Sequence, residues 1–249
     1  MKARQVVAGL VVAAGVGAVT TGCGDPDDKN GWASRYWDCC KPHCAWSQNV
    51  SGGNPVSSCD AQNQSLGSNY SAASSCDGGN AFMCYGYAPW AASDQLAYGF
   101  AAHNSGACGR CFELRFTGSS HNAGNDPGSA SLNGKKMVVQ VINRGGLAGN
   151  QFDLLIPGGG VGVENGCTTQ WGTSDLGAQY GGFLAGCSGS ADRASCVLQK
   201  CQTVFGAAPE LMAGCNWFIT WYALADNPNL VFKEVSCPSA ITAVSGMSG

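Results

Sequence analysis

The sequence is poor in charge: 12% of its 249 residues are Asp, Glu, Lys or Arg, and its 13 basic residues form no run. A phosphate backbone is held by clustered Lys and Arg, so nucleic acid is not expected as a partner. The longest apolar stretch, Val6 to Val19, is too short and too abruptly ended for a membrane span. Three histidines, His43, His103 and His121, stand in no activated-nucleophile motif, and no Gly-x-Ser-x-Gly elbow is present, so a serine hydrolase has little support. No local His/Asp/Glu cluster suggests a metal site, and no cofactor is expected. The run Gly158 to Gly162 lacks the Lys-Ser/Thr that would meet a phosphate; it reads as a turn needing close approach and positive φ.

What is abundant is glycine, with 37 residues, and cysteine, with 15. That composition describes a loop-rich body stabilised in part by cross-links, and the length suits one all-β domain. Residues 1–23 carry Lys2 and Arg4, the apolar stretch, and the ending Thr20-Thr21-Gly22-Cys23. This is a secretory signal resembling those of bacterial lipoproteins, in which the cysteine is lipidated; an ordinary signal cut nearby is the alternative. Removing residues 1–22 leaves 11 basic against 16 acidic residues, and setting Cys23 aside leaves 14 cysteines, enough for seven disulfides in an oxidising compartment. A secreted location is expected, with attachment through Cys23 at a bacterial cell surface. Residues 24–30 read as a solvated tether and residues 239–249 as a flexible tail.

Between these ends, alternation marks strands at Cys111 to Thr117, Lys135 to Ile142, Asn216 to Tyr222 and Leu230 to Val235. Asp94 to Ala102 is compatible with either a helix or a strand, Gly118 to Asn133 reads as a long loop, and Gly166 to Gly214 as irregular. Cys39, Cys40 and Cys44 could in principle join Cys108 and Cys111 around a metal, but in a secreted chain disulfides are the stronger reading.

With nucleophile and metal chemistry unsupported, carboxylate chemistry remains. Glycoside hydrolysis requires one carboxyl that is protonated and one that is ionised. Asp38 and Asp153 each follow an aromatic residue, Trp37 or Phe152, and each adjoins an element able to hold it still. Local context alone does not separate a catalytic role from a structural one.

The stretch Arg35-Tyr36-Trp37-Asp38-Cys39-Cys40-Lys41-Pro42 resembles the start of the mature chain in family-45 glycoside hydrolases, secreted endoglucanases. The resemblance continues through Cys44-Ala45-Trp46, Gly99-Phe100-Ala101-Ala102, Phe152-Asp153-Leu154, Ile156-Pro157-Gly158-Gly159-Gly160 and Cys237-Pro238, covering most of residues 32–238. It implies a catalytic domain over residues 31–238, mainly β: a six-stranded double-psi β-barrel with long disulfide-linked loops. It further implies a monomeric endo-β-1,4-glucanase acting on cellulose with inversion, Asp38 as general base and Asp153 as general acid, with Tyr36 and Trp46 lining the substrate groove and Gln151, standing where relatives carry a His, also expected to bind substrate. Inversion requires roughly 6.5–9.5 Å between the two carboxyls.

By the same resemblance Cys39 pairs with Cys167, Cys40 with Cys76, Cys44 with Cys108, Cys59 with Cys84, Cys111 with Cys237 and Cys201 with Cys215, leaving Cys187 for Cys196. Relatives also carry an assisting acid in the loop before Asp153. Here Asn143-Arg144-Gly145-Gly146-Leu147 has none, and Arg144 is expected to lower the pKa of nearby acids. The main rival is an expansin-like, non-catalytic wall-loosening or glucan-binding protein, which shares the barrel but lacks the base. Mixed-linkage glucan, xyloglucan and glucomannan are alternative substrates, and a purely structural surface protein is the third possibility.

Overall fold

A computed structural model describes residues 26–104, 108–122 and 124–248. The signal segment and Cys23 lie outside the described residues. Among the described residues seven strands form one mixed sheet: β1 (Lys29–Tyr36), β2 (Trp90–Ala91), β3 (Leu96–Ala102), β4 (Cys111–Ser120), β5 (Lys136–Asn143), β6 (Gln151–Leu155) and β7 (Pro228–Val235). The order β3-β5-β4-β7-β1-β6 closes on itself through a β3–β6 pairing, giving a ring of six strands. The short β2 pairs with Ala97 and Tyr98, on the edge of β3 that β6 occupies only at Ala101 and Ala102. Closure removes the open edges that an isolated sheet would expose. Inside the ring Phe112, Phe152 and Phe232 pack edge to face with centroids 4.9–6.1 Å apart, and His103 lies 4.3 Å from Phe152.

All seven disulfides form as the resemblance implied, including Cys187–Cys196. Other expectations need correction. The 24–30 tether ends early, because Lys29 and Asn30 already pair with Phe232 and Val231 in the β1–β7 ladder. The expected loop from Gly118 to Asn133 includes the end of β4 and helix α1 (Pro127–Ser131), capped by the Asp126 carboxylate. Between residues 166 and 214 lie α2 (Cys167–Trp171), α3 (Gly182–Gly186) and α4 (Arg193–Phe205).

The aromatic run from Asn216 is not a strand; it ends helix α5 (Pro209–Thr220). Leu211, Cys215, Phe218 and Tyr222 recur at three- to four-residue spacing and are buried, a helical face that the β-propensity of Trp, Phe and Ile obscured. Cys201–Cys215 links that face to α4. The tail, finally, is no free end: α6 (Ser239–Ser245) buries Ile241, and Met247 beyond it is also in the core.

Cys39–Cys167 spans 128 positions and Cys187–Cys196 only 9. Loop-closure entropy then makes the first the larger stabiliser, on the order of 3–5 kcal/mol against about 2–3 kcal/mol. Paired Cys→Ala replacement at 39 and 167 should lower the melting temperature more than the same replacement at 187 and 196, and calorimetry of the two variants checks this.

Candidate active site

Strands β1 and β6 run parallel in a register that sets Ser34 beside Asp153 and Trp32 beside Gln151. The Ser34 hydroxyl donates to Asp153 Oδ1 at 2.6 Å and accepts from Gln151 Nε2 at 2.8 Å, while Gln151 Oε1 accepts from the Ala148 N–H at 3.1 Å. A backbone N–H can only donate, so the Gln151 amide has one orientation and the Ser34 hydrogen must point to Asp153. One carboxylate oxygen of Asp153 is thereby occupied, and the other accepts no hydrogen bond among the described residues. Gln151, expected to bind substrate, is turned toward this relay.

Asp38 follows β1 by two residues. Its Oδ1 accepts from the Cys40 N–H at 2.9 Å, and its backbone carbonyl accepts from the Gly166 N–H at 2.8 Å. Trp37 N–H donates to the Gly160 carbonyl at 2.8 Å. Cys39 adopts a left-handed φ of 61° and is tied to Cys167, so the glycine loop after β6 is fastened on both sides of Asp38. Strain in a non-glycine residue beside a functional group persists only when its surroundings over-determine it, as here. The glycines permit the approach: a Cβ at Gly159 would stand 2.7 Å from the Tyr36 nitrogen, and Gly160 has φ 108°.

Burial pushes Asp38 up to about 7, opposed by the Cys40 N–H and reinforced by the charges of Asp153 and Glu164. Burial likewise raises Asp153 to about 6, against the Ser34 hydrogen bond and the Arg35 charge. Arg35 is the cation that lowers Asp153; it is fixed by Asp226 at 2.7 Å and the Gly181 carbonyl at 3.1 Å. Arg144, expected to lower nearby acids, is not among the charges named as acting on Asp38 or Asp153; burial first, and then the Arg144 charge, lowers His43. Sequence reasoning gave no role to Glu164, whose influence on Asp38 follows from the loop fastening and has no local signature.

Tyr36 ends β1, and its hydroxyl accepts from Asn143 Nδ2 at 2.8 Å. Burial first, then the Asp38 charge, keeps that phenol un-ionised. Trp46 stands between two 3₁₀ turns, His43–Ala45 and Ser47–Asn49, with Lys41 Nζ 3.5 Å from its ring centroid. Lys41 is in turn held by the carbonyls of Tyr70 and Ala72 at 2.7 and 2.8 Å. Among the described residues no group of three or more His, Cys, Asp or Glu side chains could hold a metal ion. A cavity of about 820 Å³ lined by Arg110, Glu234, Cys237 and Met247 contains neither acid, and its Glu234 is paired with Arg110.

The raised carboxyls affect stability. The folded state retains protons that the unfolded chain, with carboxyls at 3.8, has released, so folding is progressively disfavoured as pH rises from about 4 through 7. Asp38→Asn removes one such burden while keeping an acceptor for the Cys40 N–H. The variant should gain on the order of 2–4 kcal/mol at pH 8 and little at pH 4, read from melting at the two pH values. Equal shifts at both would contradict the assignment of Asp38 as a raised carboxyl.

Comparison with known proteins identifies the family. The family model for glycosyl hydrolase family 45 matches residues 30–248. Endoglucanase B of Cellvibrio japonicus is 54% identical over 233 residues, covering 88% of this chain and 45% of that protein. An endoglucanase of Cryptopygus antarcticus is 37% identical over 243 residues, 94% of both chains. The crystal structure of the cellulase from that Antarctic springtail superposes with a TM-score of 0.71 at 38% identity, covering 88% of this chain and 96% of that one. The chain therefore spans about half the length of the Cellvibrio relative but nearly all of the springtail one. On the match over residues 30–248, the chain belongs to glycosyl hydrolase family 45.

Proposed function

We propose that the chain is an endo-β-1,4-glucanase that cleaves internal bonds of cellulose with inversion. The observation carrying this reading is the pair of carboxyls, Asp38 buried and Asp153 partly buried, each held through one oxygen and each raised toward neutrality. Asp38 acts as general base, taking a proton from the water that attacks the anomeric carbon. Asp153 acts as general acid, delivering its proton to the departing glycosidic oxygen. The Ser34 bond orients Asp153 and leaves its second oxygen to carry that proton. The relatives are endoglucanases, which supports the substrate class.

Both carboxyls are raised toward neutrality, which fits equally a second reading in which the two roles are exchanged. Leaving-group dependence separates them. With an activated aryl leaving group, loss of the acid is tolerated and loss of the base is not. Asp153→Ala should keep most of its activity on such substrates and Asp38→Ala should keep little; the opposite pattern establishes the exchanged roles.

Trp46 offers an aromatic face for stacking on a sugar, steadied by the cation beneath it. Seven disulfides fit an oxidising compartment, consistent with secretion, and Cys23 remains the proposed site of lipid attachment.

On carboxymethyl cellulose, Asp38→Asn and Asp153→Asn should each lose at least about 100-fold in kcat with folding intact. A folded parent that hydrolyses no β-glucan would favour the non-catalytic glucan-binding alternative. One proton shared by the pair gives kcat/KM a narrow bell, with limbs near about 6 and about 7. A plateau extending to pH 9 would contradict it. Trp46→Ala should raise KM for long oligosaccharides more than it lowers kcat, measured over a series of chain lengths.

A further inference from the structure

Asn143 ends β5, where the β3–β5 ladder shifts register and the His103 N–H donates to the Asn143 carbonyl at 3.2 Å. Its side chain joins two segments far apart in sequence. The His43 N–H donates to Asn143 Oδ1 at 2.8 Å, and Asn143 Nδ2 donates to Tyr36 Oη at 2.8 Å. Because a backbone N–H has no acceptor capacity, the atom facing it must be the amide oxygen, and the orientation of the amide follows from chemistry. The tyrosine hydroxyl therefore faces a donor on its Asn143 side. With one hydrogen of its own, it must direct that hydrogen elsewhere. Among the described residues Asn143 is the one hydrogen-bond partner of this hydroxyl, and the charged groups acting on it are those of the acid pair.

We propose that Asn143 is a positioning residue that makes the Tyr36 hydroxyl an obligate donor toward an oxygen of the glucosyl unit bound between Asp38 and Asp153. This rests on the glucanase reading above and adds to it the polarity of one contact. The arrangement parallels the Gln151–Ser34–Asp153 relay: a backbone N–H fixes an amide, and the amide fixes the direction of a hydroxyl. In both, a group that could rotate is given one orientation before substrate arrives, which is the preorganisation that a polar site needs.

The test is a double-mutant cycle in kcat/KM on a soluble β-1,4-glucan. Asn143→Asp keeps an acceptor for the His43 N–H but presents an acceptor to Tyr36 as well, turning the hydroxyl hydrogen away from the site. Tyr36→Phe removes the hydroxyl. Each single variant should lose on the order of 10-fold. In the Tyr36→Phe background Asn143→Asp should cost less than about 2-fold more, because the group through which Asn143 acts is gone. Asn143→Ala, which adds no charge, should show the same non-additivity and serves if the first variant fails to fold.

Parental activity in the Asn143 variants, or losses that multiply in the double variant, would overturn the inference, the latter showing a purely structural or electrostatic effect. Asp38→Asn run beside them separates this failure from that of the parent reading. Full activity in Asp38→Asn would overturn the catalytic assignment itself.

Discussion

The parallel, in-register pairing of β1 with β6 is the constraint on which the site depends. It sets Ser34 against Asp153 and delivers Asp38 two residues past the strand end, so acids distant in sequence share one region. The pairing alone would leave Asp38 on a free turn. Its position is completed by the glycine loop that leaves β6: Gly160 accepts from Trp37, Gly166 donates to Asp38, and Cys167 is bonded to Cys39. A side chain on Gly159 would collide with the Tyr36 backbone at this contact, and one on Gly160 with the backbone of Gln179 and Gly182 behind it. The glycine run and the cysteine pair thus serve one purpose, the close approach of two loops around a carboxyl.

That approach has a thermodynamic consequence. Two carboxyls taken from water, neither facing a buried cation at contact distance among the interactions described, hold their protons more tightly than free ones. The fold bears this burden at neutral pH, and the cross-links and closed ring offset it. The site also restricts orientation as well as position. Amides at Gln151 and Asn143 are locked by backbone N–H groups, and each passes its orientation to a hydroxyl.

Much of this was legible in the sequence. Strands β4, β5 and β7 follow from alternation, and the acids and disulfide pairs follow from the resemblance in the Tyr36 to Cys40 and Phe152 to Gly160 stretches. The helix α5 was not legible as such, since its Asn216 to Tyr222 segment has strand-forming aromatics on a helical face. The tail reads as free because Ile241 and Met247 stand among small residues with an exposed Val244 between them, and only packing shows that both are buried. The relays were hidden for a different reason. Ser34 meets Asp153 through strand register, and Asn143 meets His43 and Tyr36 across 100 and 107 positions, so neither leaves a local pattern. Glu164 belongs to the same class.

The central claim is that Asp38 and Asp153 act from opposite sides of the sugar, with water admitted between them. The most direct measurement is the anomeric configuration of the first product, followed by proton NMR during the opening minutes of cellopentaose hydrolysis. Inversion predicts that the new reducing end appears as the α-anomer and only later equilibrates. Initial accumulation of the β-anomer would mean a covalent, retaining route and would contradict the roles assigned to both acids.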